Sequence, residues 1–104
     1  MRQDRRHKLQ LFYEILCAIE DDMITNEIAV AAKPTHVQHY SRLSYDKMVH
    51  HLGELERKEM IYRHDNSGLI SITSKGLTFI KQYRALIILI ESVGLKDRIE
   101  IKIE

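Results

Sequence analysis

Two helical patterns separated by only three residues constrain this chain more than any other feature. PTHVQHYS (34–41) runs into RLS (42–44) and then into YDKMVHHLGELERK (45–58). Pro34 has the fixed φ and the missing N–H that suit a first helical position, and Thr35 is placed to cap that short helix, with Val37, Tyr40 and Ser41 turned inward. RLS then makes a tight turn. Ser44 has the side-chain oxygen that an N-cap requires, and Met48, Leu52 and Leu55 follow at helical spacing on one apolar face. Asp46, His50, Gly53 and Arg57 lie opposite, with Lys47 and Glu54 on one flank and Val49 on the other. Helices joined this tightly must pack across one another, which is the geometry of a helix-turn-helix.

The flanking segments extend the pattern. Leu9, Phe12, Leu16 and Ile19 recur at helical intervals and predict a first helix over about 5–20, with Asp4 as its N-cap. EDDMITNEIAVAAK permits two readings. In one it is a long connection, and the second helix starts near Pro34. In the other TNEIAVAA is the second helix, capped by Thr25, and PTHVQHYS begins the third. The start of the second helix therefore lies open between residues 25 and 36. IYRH and LISI are β-prone and enclose DNSG, whose Asn, Ser and Gly favour turns, so residues 61–72 read as a hairpin. Thr73 or Ser74 caps a last helix that runs to about Val93, where Gly94 stops it. Leu77 and Ile80 are assigned to the domain's own core, while Phe79, Tyr83, Leu86, Ile90 and Val93 form a short heptad seam. LKDRIEIKIE alternates isoleucine with charge like a strand for which the sequence supplies no partner.

The expected fold is α+β and mostly α: a winged helix-turn-helix with a long C-terminal helix. The expected division is a winged helix-turn-helix over 1–73, a dimerisation helix over 74–94 and a tail over 95–104.

Composition narrows the function. A chain of 104 residues holds one domain with a modest core. Its single cysteine, Cys17, excludes an intrachain disulfide and a polycysteine zinc site, and is expected to pack beside Tyr13. The charged N-terminus lacks the apolar core of a signal peptide, and ALIILI (85–90) is too short to span a bilayer, so a cytoplasmic protein with no membrane partner is expected. No Gly-rich phosphate loop, nucleophile elbow or paired carboxylates are found, so neither an enzyme, a cofactor nor a small-molecule ligand is expected. The histidines raise the question of a metal. His36 and His39 are three apart, while His50 and His51 are adjacent and should diverge by about 100° on a helix, so no metal site is expected.

Charge is weakly informative. The net charge is +1, but the acids Glu14, Glu20, Asp21, Asp22 and Glu27 fall between a basic start and a weakly basic, histidine-rich middle. An anionic partner is permitted at the ends of that distribution. On a helix-turn-helix such a partner is double-stranded DNA. The reading helix, about 44–58, would enter the major groove with Ser44 and Tyr45 at its start and Lys47, Val49 and His50 facing base edges. Thr35 and His36 begin the positioning helix, whose free N–H groups favour phosphate. Arg63, His64 and Asn66 near the tip of the wing, about 61–72, would meet the backbone. The alternative is a winged helix that uses this face for another protein and leaves DNA alone. The run ALIILI is apolar all round, and a second copy of the chain is its simplest cover; Phe79, Tyr83, Leu86, Ile87, Ile90 and Val93 are the expected homodimer interface.

Lys33-Pro34-Thr35, Leu43-Ser44-Tyr45, Leu52 to Leu55, Met60-Ile61 and Thr73 to Gly76, in this order and spacing, resemble the small archaeal winged helix-turn-helix DNA-binding proteins. The resemblance covers about residues 6–93. It implies double-stranded DNA binding, a nucleoid-associated or regulatory role, and dimerisation through the last helix as an antiparallel coiled coil. Two departures stand out. The connection from Glu20 to Lys33 is longer and more acidic, and Glu59 stands where glycine is common, which predicts a less sharply turned entry to the wing.

Overall fold

The computed structural model describes residues 6–25, 31–64 and 67–94. Its elements in chain order are α1 (Lys8–Thr25), α2 (Pro34–Ser41), α3 (Tyr45–Arg57), β1 (Ile61–Arg63), β2 (Ile70–Ile72) and α4 (Ser74–Ser92). This is the mostly helical winged helix-turn-helix that the sequence predicts.

α1 is the helix on which the core is built. Leu11, Phe12, Ile15, Leu16, Ala18 and Ile19 are all buried. This stripe is broader than the seam read from sequence, and Leu9, in the first turn, is 46% exposed. α1 also runs to Thr25, five residues beyond the expected end near 20, and absorbs the acidic EDDMIT segment. Ala31 and Ala32 are not helical, and Pro34–Ser41 is a helix of its own that closes before α3, so PTHVQHYS does not begin the third helix; residues 26–30 of TNEIAVAA lie outside the described residues. The expected Asp4 cap and the strand-like tail lie outside the described residues.

The turn between α2 and α3 is built one residue at a time. Arg42 takes the left-handed conformation, with φ 54° and ψ 47°, and its N–H donates back to the Gln38 and His39 carbonyls. The Leu43 N–H also donates to Gln38, and its side chain is buried. These bonds close α2 as a Schellman motif. Ser44 Oγ then accepts from the Lys47 N–H at 3.3 Å and opens α3. Pro34 does start α2, but Thr35 does not cap it: the cap position is Lys33, with no side-chain bond. Val37 and Ser41 point inward as expected, whereas Tyr40 is 49% exposed.

A second Schellman motif ends α3. The Met60 N–H donates to Leu55 O at 2.9 Å, and the Glu59 N–H to Glu56 O at 3.0 Å. Glu59 has φ 63°. The glycine-like turn is therefore retained without a glycine, contrary to the expected slackening, and two backbone bonds hold a non-glycine residue in a conformation that costs about 1–2 kcal/mol.

β1 and β2 pair antiparallel, with Ile61 opposite Ile72 and Arg63 opposite Ile70. Ala32 adds a single bridge to Ile70, through Ala32 N to Ile70 O at 2.6 Å and Ile70 N to Ala32 O at 2.9 Å. The entry to the helix-turn-helix is thereby fastened to the wing.

Thr73 caps α4 by accepting from the Gly76 N–H at 3.1 Å, while its own hydroxyl donates to Glu59 O at 2.7 Å. α4 thus starts directly on the end of α3. The contact is too close for a side chain at Gly76, where a Cβ would fall 2.4 Å from Met60 O and 2.7 Å from Ile72 Cγ1. Gly76→Ala is expected to destabilise the domain by about 1–3 kcal/mol, the usual cost of overpacking, because the first obstacle is backbone. A urea melt measures this; an unchanged midpoint would show that the joint can slide.

Candidate nucleic-acid interface

α3 is the exposed helix of the pair. Met48, Leu52 and Leu55 are buried beneath it. Tyr45 (63%), Val49 (41%), Asp46 and His50 face outward, and Lys47 is half-exposed on the flank. Among the described residues no ion pair engages Lys47. The sequence-assigned reading residues Ser44, Tyr45, Lys47, Val49 and His50 therefore share one open surface over the first two turns. Such a surface presents the Lys47 cation, the hydrogen-bonding side chains of Ser44, Tyr45 and His50, the Asp46 carboxylate and an apolar patch at Val49, groups that can meet base edges and phosphates.

The wing carries a second group. Arg63 Nε lies 3.1 Å from Glu56 Oε1, which ties β1 to the last turn of α3. His64 shares a 2.7 Å hydrogen bond with Ser71 Oγ across the hairpin, and the His64 N–H donates to Leu69 O. Tyr62, 57% exposed, stands edge-on to the His64 ring at 4.9 Å. Sequence reasoning did not single out Tyr62; the period of the strand places it opposite the buried Ile61 side, which was the available signal. Asn66 lies outside the described residues.

The start of α2 departs from expectation. Thr35 is exposed, but His36 turns toward the C-terminal part of α1, with its ring nitrogens 3.6 Å from Asp21 Oδ2 and 3.8 Å from Asp22 Oδ1. Asp22 also accepts from the Lys33 N–H at 2.8 Å, and the His36 and Val37 N–H groups both donate to Lys33 O. The Lys33, His36 and Val37 N–H groups are thus occupied, and carboxylates stand beside them. The cause is the longer α1, which carries its acids to this point.

His50 and His51 do not diverge as adjacent residues should. Glu54 lies one turn on, four residues from His50 and three from His51, so both rings can lean toward it. His51 Nδ1 is 3.4 Å and His50 Nε2 3.7 Å from the same oxygen, Glu54 Oε1, while Lys8 Nζ holds Oε2 at 2.7 Å. The Lys8 hydrogen bond holds the Glu54 carboxyl below the usual range, and burial against the domain keeps the His51 imidazole below its usual value. The neutral form of His51 is the one that can accept or ligate.

On α4 the expected seam divides. Phe79 packs against the domain's own core and Tyr83 is 8% exposed, stacked on Tyr13 at 4.6 Å. Arg84 Nε donates to the Tyr13 hydroxyl at 2.9 Å, and its guanidinium lies 3.7 Å from both Glu20 Oε1 and Cys17 Sγ. Cys17 is half-buried against the core, next to Tyr13. Phe79 and Tyr83 thus take the role given to Leu77, which is 43% exposed, while Ile80 is buried as expected. Beyond Arg84, Leu86, Ile88, Leu89 and Val93 are 50–65% exposed, with Ile87 and Ile90 half-exposed.

A family model described as winged helix-turn-helix matches residues 5–91. The chain belongs to that family. No curated protein gives a significant match to it. Winged helix-turn-helix domains are, as a class, DNA-binding modules rather than enzymes, with the second helix of the pair as the reading element. In this chain the second helix of the pair is α3. Among the described residues no helix is long and apolar enough to cross a membrane.

Gly53 sits mid-helix on α3, and a Cβ there would meet only Arg57 Nη1, at 3.4 Å. Gly53→Ala is expected to raise stability by about 0.5–1 kcal/mol through helix propensity. If a duplex backbone approaches this side of α3, the same change weakens binding. Paired thermal melts and duplex titrations read both effects; a variant no more stable than the parent would contradict the helical-propensity argument.

Proposed function

We propose that the protein is a homodimeric double-stranded DNA-binding regulator of the archaeal type, general or sequence-specific, acting in the cytoplasm on the nucleoid. Residues 1–73 form the reading head, residues 74–94 the dimerisation helix, and 95–104 a tail. α3 enters the major groove with Ser44, Tyr45, Lys47, Val49 and His50, and the wing meets the backbone through Arg63 and His64, with Asn66 at its tip. Thr35 is a flanking phosphate contact; His36, facing Asp21 and Asp22, acts by positioning α2 against α1. The observation that carries the reading is the exposed start of α3: a Ser44-capped helix end with Lys47 and His50 beside Tyr45 and Val49 and with its apolar face fully buried behind.

The test is fluorescence anisotropy on a mixed-sequence duplex over a salt series. Binding should weaken with salt, log K falling by about 0.9 per phosphate neutralised for each decade of salt. No binding at low salt would remove DNA as the partner. The exposed Tyr45, Val49 and Tyr62 would then favour the second reading, in which this face docks another protein.

The dimer rests on the outer half of α4. Leu86, Ile87, Ile88, Leu89, Ile90 and Val93 form an apolar length of helix that the domain's own core leaves largely uncovered. An antiparallel pairing of two such helices covers it and sets the heads apart, so that head separation fixes the spacing of half-sites.

A further inference from the structure

We propose that His50, His51 and Glu54 form a binding site for a zinc-class divalent ion on the surface of α3. The potential ligand atoms of these three residues lie within 4.8 Å of one another. A tetrahedral ion with bonds of about 2.0–2.1 Å holds its ligands roughly 3.3 Å apart. Two of the three separations, 3.4 Å from His51 Nδ1 and 3.7 Å from His50 Nε2 to Glu54 Oε1, are already close to that spacing. Only a modest rotation of the exposed His50 ring is needed to complete the set.

The surroundings fit a ligand cluster. Glu54 is oriented through its other oxygen by Lys8 Nζ at 2.7 Å, which leaves Oε1 directed at the two rings. A carboxylate fixed by a neighbour outside the site is the usual support of a metal ligand. His51 is held edge-on against Phe12, with ring centroids 6.0 Å apart, and its side chain is only 14% exposed. Its rotamer is therefore set by packing. His50, at 69% side-chain exposure, is the exposed third ligand, and the fourth position would be left to water. Two imidazoles and one carboxylate form a borderline donor set, which suits zinc and its neighbours rather than magnesium or calcium.

The site does not depend on the DNA reading and is tested without DNA. Untagged protein is titrated with zinc by calorimetry and with cobalt by visible absorption. The expected result is one ion per chain with a Kd below about 100 µM, together with the visible bands of a nitrogen-ligated cobalt site. His50→Ala should weaken binding by about tenfold or more, as loss of one ligand in three requires. Because His50 is exposed, this variant should keep the parent melting temperature, so lost binding cannot be blamed on unfolding. Glu54→Gln should behave as His50→Ala does. His36→Ala and Cys17→Ser should bind like the parent, since neither residue is in the cluster. Absence of saturable binding, or binding that survives His50→Ala, overturns the proposal.

Discussion

Ile90→Lys is expected to convert the proposed dimer into a monomer while leaving the helix-turn-helix folded. Ile90 is half-exposed in the single chain, within a run whose neighbours Ile88 and Leu89 are 65% and 58% exposed. Six consecutive apolar residues on a helix face every direction, so no single surface of one domain can cover them all. Tyr13, Arg84 and Tyr83 anchor the helix to α1 up to residue 84, and the apolar run begins immediately afterwards. Packing of this run against a second copy would bury Ile90 on a face where a lysine has no partner. A charge left unpaired in such a place costs about 3–5 kcal/mol, enough to separate a dimer held by one helix per chain. Duplex affinity should fall as well, because two linked heads bind far more tightly than one. Size exclusion with light scattering is the measurement. A parent protein that is monomeric at about ten times the Kd of an ordinary micromolar dimer, or a variant that stays dimeric, would show that the helix is covered by something else.

What could be read from the sequence was what is decided locally. Ser44 and Thr73 cap their helices because a hydroxyl at the right offset needs no distant partner. Met48, Leu52 and Leu55 face inward because one period fixes all of them. The hairpin follows from turn residues between two β-prone runs. What was not legible has a different origin. The Leu9, Phe12, Leu16 and Ile19 periodicity marks one narrow face and omits Ile15, whereas α1 is buried over a broad stripe that includes Ile15 and leaves Leu9 exposed. His36 was given to phosphate because nothing local shows that α1 continues to Thr25 and brings Asp21 and Asp22 alongside. Phe79 and Tyr83 fit a heptad, yet Tyr83 stacks on Tyr13, seventy residues earlier in the chain. His50 and His51 were separated by their backbone angle, whereas their side-chain rotamers and the Glu54 carboxylate bring them together. Glu59 shows the same principle in the backbone, where a non-glycine residue at a position that is commonly glycine in the family predicts a slacker turn and the hydrogen bonds of Met60 and Glu59 impose a tight one.

Replacing Lys47 and Arg63 together by glutamate is expected to abolish duplex binding at moderate salt without unfolding the domain. Lys47 sits on α3 and Arg63 on β1, the helix and wing proposed to meet the duplex. Each substitution exchanges a phosphate-neutralising charge for a repelling one. Losing two phosphate contacts alone makes the salt dependence shallower by about 1.8 in slope, and repulsion adds to the loss, so a fall on the order of 100-fold or more is expected at low salt. Arg63 carries a second effect. Its guanidinium neutralises Glu56 at 3.1 Å, so Arg63→Glu leaves two carboxylates facing each other between the wing and α3. That repulsion loosens the wing, but it acts on a half-exposed pair where such interactions are worth only about 0–1 kcal/mol, and the thermal melt should shift little. Lys47→Glu alone has no such partner to disturb among the described residues, and it isolates the helix contribution. Lys81→Glu, on the exposed side of α4, serves as the control for net charge. Anisotropy on the mixed duplex separates the outcomes. If Lys81→Glu weakens binding as much as Lys47→Glu does, the effect is one of overall charge and α3 is not the reading surface. If the double variant binds like the parent, both contacts are wrong. A loss confined to the Lys47 and Arg63 variants, with a shallower salt slope and an intact melt, places the duplex across α3 and the wing.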